Sequence, residues 1–185
     1  MQRAGVRSAL AGTLGPCRTA RGLGLTLRGD FGLGLTNSLT VGELNRLGFV
    51  SATASFELKL AQIRDLGKYL PLEALVYGRL PLMLTENCIM KGRGCPCGGD
   101  NRLRDRKGEE FPVLAAWGCR NVLLNAKILY LADKPQWRQA GLWGARLTFT
   151  TESGETCAAR FREYRQGGGT PPQDFTRGLY YREVE

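Results

Sequence analysis

Apolar positions along the chain fall into short runs separated by stretches with helical spacing. Val6–Leu14, Leu25–Leu27 with Leu33–Leu35, Ser51–Ala54, Ala74–Tyr77, Lys127–Leu131 and Ala145–Phe149 are brief and mostly aliphatic, and they read as buried strands. Between them, residues 38–48 place Leu39, Leu44 and Leu47 near one helical face, with Gly48 as a C-cap. Residues 57–67 repeat the design with Leu60, Ile63 and Leu66 ahead of Gly67. Alternating strands and helices predict parallel β/α units joined by right-handed crossovers. No glycine-rich phosphate loop opens any helix, so the pattern favours a (β/α) barrel over a nucleotide-binding sheet. A complete barrel of that kind takes about 250 residues. The 185 residues present here predict a partial (β/α) TIM-type barrel over residues 1–165.

The pattern breaks between residues 86 and 111. Lys91-Gly-Arg-Gly-Cys-Pro-Cys-Gly-Gly-Asp-Asn101 is too rich in Gly and Pro for regular structure and reads as a Cys/Gly-rich loop insertion. In a barrel, an insertion after the strand ending at Tyr77 falls at the C-terminal face, where active sites sit. Gly167-Gly-Gly-Thr-Pro-Pro172 reads as a linker, so residues 166–185 are expected to be linker and C-terminal tail.

Composition narrows the class. Hydrophobic residues make up 43% and charged residues 23% of the chain, which is the globular range. No apolar run approaches the roughly 20 residues that span a bilayer, so no membrane partner is expected. The first 29 residues carry Arg3, Arg7, Arg18, Arg21 and Arg28 and no acidic residue, as organellar transit peptides do. The strand-like Gly5-Val-Arg-Ser-Ala-Leu-Ala-Gly12 argues instead for a barrel strand followed by a basic loop. A net charge of +9 favours an anionic partner, either RNA or an anionic small molecule.

The chain contains no histidine. That excludes a Ser-His-Asp triad, a Cys-His dyad and an HExxH zinc site within it. Proton transfer is left to carboxylates, Lys, Tyr or Cys. Of six cysteines, Cys88, Cys95, Cys97 and Cys119 crowd together, while Cys17 and Cys157 stand apart. A secreted disulfide scaffold spreads its cysteines more evenly, so the pattern points to a reducing cytoplasm. Four thiolates around one loop suit zinc or an iron–sulfur cluster first, with a redox or structural thiol role, or no special role, as the alternatives.

Longer motifs add a resemblance. Val76-Tyr-Gly-Arg-Leu-Pro-Leu-Met-Leu-Thr-Glu-Asn-Cys88, Leu103-Arg-Asp-Arg-Lys-Gly-Glu-Glu-Phe-Pro-Val113 and Cys119-Arg-Asn-Val-Leu-Leu-Asn125 occur in that order. Gly29-Asp-Phe-Gly-Leu-Gly-Leu-Thr-Asn-Ser38, Ser55-Phe-Glu-Leu58 and Phe175-Thr-Arg-Gly-Leu-Tyr180 extend the set over nearly the whole chain. Together they resemble the C-terminal portion of a U32, collagenase-like, peptidase family protein. The resemblance implies a peptidase or hydrolase label, although several members are iron–sulfur proteins that hydroxylate RNA bases or quinone precursors. It also implies that Cys88, Cys119 and one or both of Cys95 and Cys97 are ligands of a 4Fe–4S cluster, with zinc as the alternative metal. The family's Glu-x-Phe-x-x-Gly-Ser/Ala-x-Cys-x4-Gly-x-Cys stretch is absent, and Gly34 stands where the family pattern has Asn. Those departures suit a second, divergent barrel whose partner is the remaining barrel half or another U32 subunit. A non-catalytic accessory or RNA-binding role is the alternative.

Individual residues complete the expectations. Asp30, Asn37 and Asn125 are candidate substrate-binding groups, although for Asp30 and Asn37 turn and helix capping is the favoured reading, Asn37-Ser38 being a good N-cap for the helix that follows. Glu57 is a candidate general base, placed early in its expected helix. Arg79, just past a strand end, is a candidate catalytic residue able to fork onto a carboxylate or phosphate. Trp117, Trp137 and Trp143 are expected as core or interface anchors.

Overall fold

The computed structural model describes residues 5–91 and 99–181. In chain order the elements are β1 (Ser8–Ala11), α1 (Cys17–Gly22), β2 (Thr26–Gly29), α2 (Ser38–Arg46), β3 (Phe49–Thr53), α3 (Leu60–Asp65) and β4 (Leu72–Gly78). They continue with β5 (Pro81–Thr85), β6 (Arg102–Arg104), β7 (Glu110–Ala116), β8 (Arg120–Leu124), β9 (Ile128–Tyr130), β10 (Gly144–Thr148), α4 (Gly154–Gln166) and β11 (Phe175–Thr176). The architecture is mixed α/β with a parallel sheet, as the strand–helix alternation predicts. Among the described residues no helix is long and apolar enough to cross a membrane.

The chain divides into two compact units. The first comprises residues 1–76, 133–147 and 177–185, the second residues 77–132 and 148–176. In the first unit β1, β2, β3 and β4 pair in parallel in that order, with Ser8 opposite Thr26, Arg28 opposite Ser51 and Ala52 opposite Leu72. Residues of β10 lie beside β4, where the Trp143 N–H donates to the Leu72 carbonyl at 2.8 Å. Leu27, Phe49, Leu72, Ala74 and Ile63 are buried and form much of this unit's core.

Local chemistry sets the helix limits. Asn37 caps α2 by accepting the Thr40 N–H at 2.9 Å. Its buried residues are Val41 and Leu44, and Leu39 faces solvent, so the apolar stripe is narrower than the leucine spacing suggests. Helix α3 begins at Leu60, three residues later than the pattern predicts. The Ser55 hydroxyl and carbonyl accept the N–H groups of Glu57 and Leu58, and this turn delays the helix. The Lys59 N–H then donates to Gln62 at 2.9 Å, and at the far end Lys68 Nζ donates to the carbonyls of Ile63, Arg64 and Leu66.

The second unit is built differently. Strands β5, β8, β7 and β6 form an antiparallel sheet in that spatial order. None of these four was legible as a strand from apolar runs, and β6 and the start of β7 lie in the span expected to be loop. Asp105 stabilises the β6–β7 hairpin by accepting the N–H groups of Lys107 and Glu109. Tyr77 and Gly78 pair antiparallel with β9, and β9 pairs in parallel with β11. An aromatic cluster of Tyr77, Phe149, Tyr130, Tyr164 and Phe175 fills this unit.

Residues 166–185 were expected to be linker and tail. Their described part holds β11, a bidentate Arg177–Asp133 ion pair at 2.5 and 2.6 Å, and the buried Tyr180. The Tyr180 hydroxyl donates to the Leu75 carbonyl at 2.6 Å, and its own carbonyl accepts the Leu60 N–H. Glycine and proline mark a break at 167–172, but the aromatic residues beyond it are docked in the fold.

Candidate functional site

The second unit brings two of the sequence-predicted ligands to one end of its sheet. Strand β5 runs against β8 with Thr85 opposite Asn121, so Cys88, just past β5, and Cys119, just before β8, lie on the same side. Asn121 is buried and accepts the Ile89 N–H at 2.8 Å through its side-chain oxygen. Thr85 Oγ1 donates to the Asn87 carbonyl at 2.8 Å and accepts the Asn121 N–H at 3.2 Å. Arg120 reaches Glu86 at 2.7 Å across the same end. The segment carrying Cys88 is thereby fastened to the strand that Cys119 opens.

Cys119 itself sits in a left-handed conformation with φ of 60°, the only such residue other than glycine among those described. It closes the three-residue turn Trp117–Cys119 that joins β7 to β8. An L-residue there costs about 1–2 kcal/mol, so the tight turn is held by the pairing on either side. Cys119 is exposed and Cys88 partly exposed, and both are free thiols. Cys95 and Cys97, the other expected ligands, lie outside the described residues. Among the described residues no three His, Cys, Asp or Glu side chains come together as a metal site. A donor set of thiols without histidine fits a soft, thiolate-bound metal better than an oxygen-liganded one.

Arg79 and Asn125 also meet in the second unit. Arg79 Nη1 donates to the Asn125 carbonyl at 3.0 Å and to that of Ala126, while its Nε is buried with no partner among the described residues. Burial pulls the Arg79 pKa down, and the nearby Glu152 carboxylate opposes that shift. The Asn125 side chain accepts the Lys127 N–H at 3.2 Å, an Asx turn that fixes the entry into β9. Arg79 lines a cavity of about 380 Å³ with Arg102, Lys107, Glu109, Glu110 and Asp174. Glu152 accepts from the Tyr77 hydroxyl at 3.1 Å and from the N–H groups of Thr150 and Thr151, so it anchors a turn and a core tyrosine.

A second polar constellation occupies one face of the first unit's sheet. Arg28 Nη1 donates to Ser51 Oγ at 2.9 Å, and the Ser51 hydroxyl donates to Glu73 Oε1 at 3.0 Å. Arg146 then bridges two carboxylates, with Nη2 on Glu73 at 2.7 Å and Nη1 on Asp30 at 2.5 Å. Asp30 additionally caps the short 3-10 turn Phe31–Leu33 by accepting the Phe31 N–H at 2.9 Å. Thr53 completes the face, its hydroxyl on the Gly29 carbonyl at 3.2 Å. The face holds four charges, and Ser51 and Thr53 are wholly buried.

Of the predicted residues, then, Asp30 belongs to this network, and Asn37 serves its helix as a cap. Glu57 is exposed in the turn before α3 rather than inside a helix. Arg28, Ser51, Glu73 and Arg146 escaped the sequence reading. The available signal was polar residues at alternating strand positions, Arg28 with Asp30 and Ser51 with Thr53. Trp137 is buried as expected, but Trp117 and Trp143 are 88% and 62% exposed and are not core anchors. Compared with known proteins, the chain matches no family model, no curated protein and no solved structure.

Proposed function

We propose that this chain is a U32-type, collagenase-like domain that works as an iron–sulfur protein in hydroxylation of RNA or a small aromatic. In this reading the parallel strands are part of a (β/α) barrel, and the thiols of Cys88 and Cys119, with Cys95 and Cys97, hold a 4Fe–4S cluster or, alternatively, zinc. The single observation that carries it is the β5–β8 register, which sets Cys88 and Cys119 at one end of a sheet; Cys95 and Cys97 fall between them in the sequence. A bound cluster would supply electron transfer. The chain's own part is to present thiolates, hold their segment through Asn121, and offer cations to an anionic substrate.

The hydrolytic side of the resemblance has less support. Without histidine, no imidazole can serve as base for a serine or cysteine nucleophile, and a bare carboxylate base for cysteine would be unusual. A cytoplasmic setting accords with free thiols at Cys17, Cys88, Cys119 and Cys157.

The second reading is an accessory barrel fragment that binds RNA or a partner U32 subunit without catalysis. The +9 net charge favours it. Anaerobic purification with iron, sulfide and zinc analysis separates the two. Iron and sulfide in near-equal amounts, lost in both Cys88→Ala and Cys119→Ala, support the cluster. A folded protein that takes up neither iron nor zinc leaves the accessory reading, which salt-dependent RNA binding then tests.

A further inference from the structure

The polar face of the first unit holds one cation whose hydrogen-bonding capacity is largely unspent. Arg146 satisfies both Asp30 and Glu73, and the Ser51 proton is directed to Glu73. Arg28 therefore meets a neutral hydroxyl oxygen, to which it gives a single Nη1 bond. Its Nε and Nη2 groups have no acceptor among the described residues. The guanidinium is partly buried and lies over the Trp143 ring, 5.4 Å from the ring centre. Stacking on an indole leaves the edge of the fork open, and that edge matches a carboxylate bidentately.

Trp143 also borders a cleft of about 360 Å³, with Tyr69, Leu70, Pro71 and Leu142 among its walls. That volume lies at the lower end of the range for small-molecule sites. The Trp143 backbone is held by its bond to Leu72, and the Tyr69 ring lies close to Gly67, while both rings keep more than half their surface open to solvent.

We propose that Arg28 and Trp143 form a binding site for a monocarboxylate, with the acid on the Arg28 fork and an apolar body against Trp143 in the adjoining cleft. Charge selects the monoanion. Arg28, Arg146, Asp30 and Glu73 sum to zero. Lys68 on the cleft wall adds one positive charge but directs its Nζ protons to the Ile63, Arg64 and Leu66 carbonyls. A dianion such as phosphate would set two charges beside two carboxylates of the network. Every residue used lies in the first unit and none is a cysteine, so the proposal stands or falls apart from the cluster reading.

The test is titration of the full chain with benzoate, followed by calorimetry and tryptophan fluorescence, with inorganic phosphate as the competing anion. Saturable binding of benzoate is expected, with a fluorescence change that disappears in Trp143→Phe. Arg28→Gln is expected to raise Kd at least tenfold, and Arg28→Lys, which keeps the charge but loses the fork, at least threefold. Phosphate should not displace benzoate. Should Arg28→Gln fail to fold, Arg28→Lys and the exposed-site variant Trp143→Ala carry the same test, the latter with at least a fivefold rise in Kd. No saturable benzoate binding, binding indifferent to these substitutions, or displacement by millimolar phosphate would each overturn the proposal.

Discussion

Asn121 and Ile89 are joined by a 2.8 Å hydrogen bond from a loop amide to a buried side-chain oxygen. One bond thus links the residue after Cys88 to the residue two beyond Cys119. Asn121→Ala leaves the partly exposed Ile89 amide to water, a net loss of about 0.5–1.5 kcal/mol. For a chain of this size that lowers Tm by about 1–6 °C. Site-resolved thiol labelling should show Cys88 reacting faster in the variant, with the already exposed Cys119 little changed. Equal labelling of Cys88 in both proteins would mean that Asn121 does not position it.

Arg146 is the shared partner of Asp30 and Glu73, which are only 22% and 12% exposed at their side chains. Removing it strands two partly buried carboxylates. Breaking a fully buried pair costs about 3–5 kcal/mol, and solvent screening here reduces that to about 2–3 kcal/mol. Urea denaturation of Arg146→Met should show that loss, and Glu73→Gln added to it should recover part of it. A double variant no more stable than Arg146→Met would show that the two charges are not coupled.

The strand positions were readable where an aliphatic run is also a buried run, as at Ala74–Tyr77. The antiparallel sheet was not, because Leu82, Met83 and Leu84 lie among glycine and proline and give no alternation. Asn37 was legible as a cap because its partner, Thr40, is three residues away. The Arg28–Ser51–Glu73–Arg146–Asp30 network was not, because its members come from separate parts of the chain and meet only through the register of β2, β3 and β4 and the pairing of β10 with β4. The same holds for the cysteines. Their spacing suggested a cluster, but which thiols share an end of the sheet depends on the pairing of β5 with β8.

Buried tyrosines give the protein an alkaline limit. Burial raises the pKa of Tyr77, Tyr164 and Tyr180 above the ordinary phenol value. Tyr180 also donates to the Leu75 carbonyl, and Tyr164 accepts the Leu131 N–H at 2.7 Å. Above about pH 10 the unfolded chain releases phenol protons that the folded chain retains, so stability is full below that pH and falls as pH rises. Thermal unfolding between pH 8 and pH 11.5 should show the decline. Tyr180→Phe should be less stable at pH 8 yet decline less steeply, by up to about 1.4 kcal/mol per pH unit. An unchanged slope would mean that Tyr180 ionises equally in both states.

Gly78 adopts φ of 126°, and a Cβ built there would lie 2.2 Å from the Thr148 carbonyl oxygen. That contact is with backbone, so no side-chain rotation relieves it. Gly78→Ala combines the clash with an unfavourable conformation, and a loss of about 3 kcal/mol or more is expected. Gly154→Ala is the control, since its Cβ meets nothing within 4 Å and its φ is not positive. Comparable melting of the two variants would show that the approach of Gly78 to Thr148 relaxes at little cost.

Strand β5 is an edge of its antiparallel sheet, and its Leu82, Met83 and Leu84 are all more than half exposed. An uncharged edge with three large apolar side chains templates pairing with another strand, and proteins usually guard such edges with lysine, proline or a bulge. Pro81 and the register shift between Pro81 and Met83 protect only the start of this one. The isolated chain should therefore associate as concentration rises, despite its positive charge. Met83→Lys places a charge at the centre of the edge and should move light-scattering mass toward the monomer, with Tm changed by only a few degrees. A wild-type chain that stays monomeric at high concentration would show that β5 is not an associating edge, whatever the variant does.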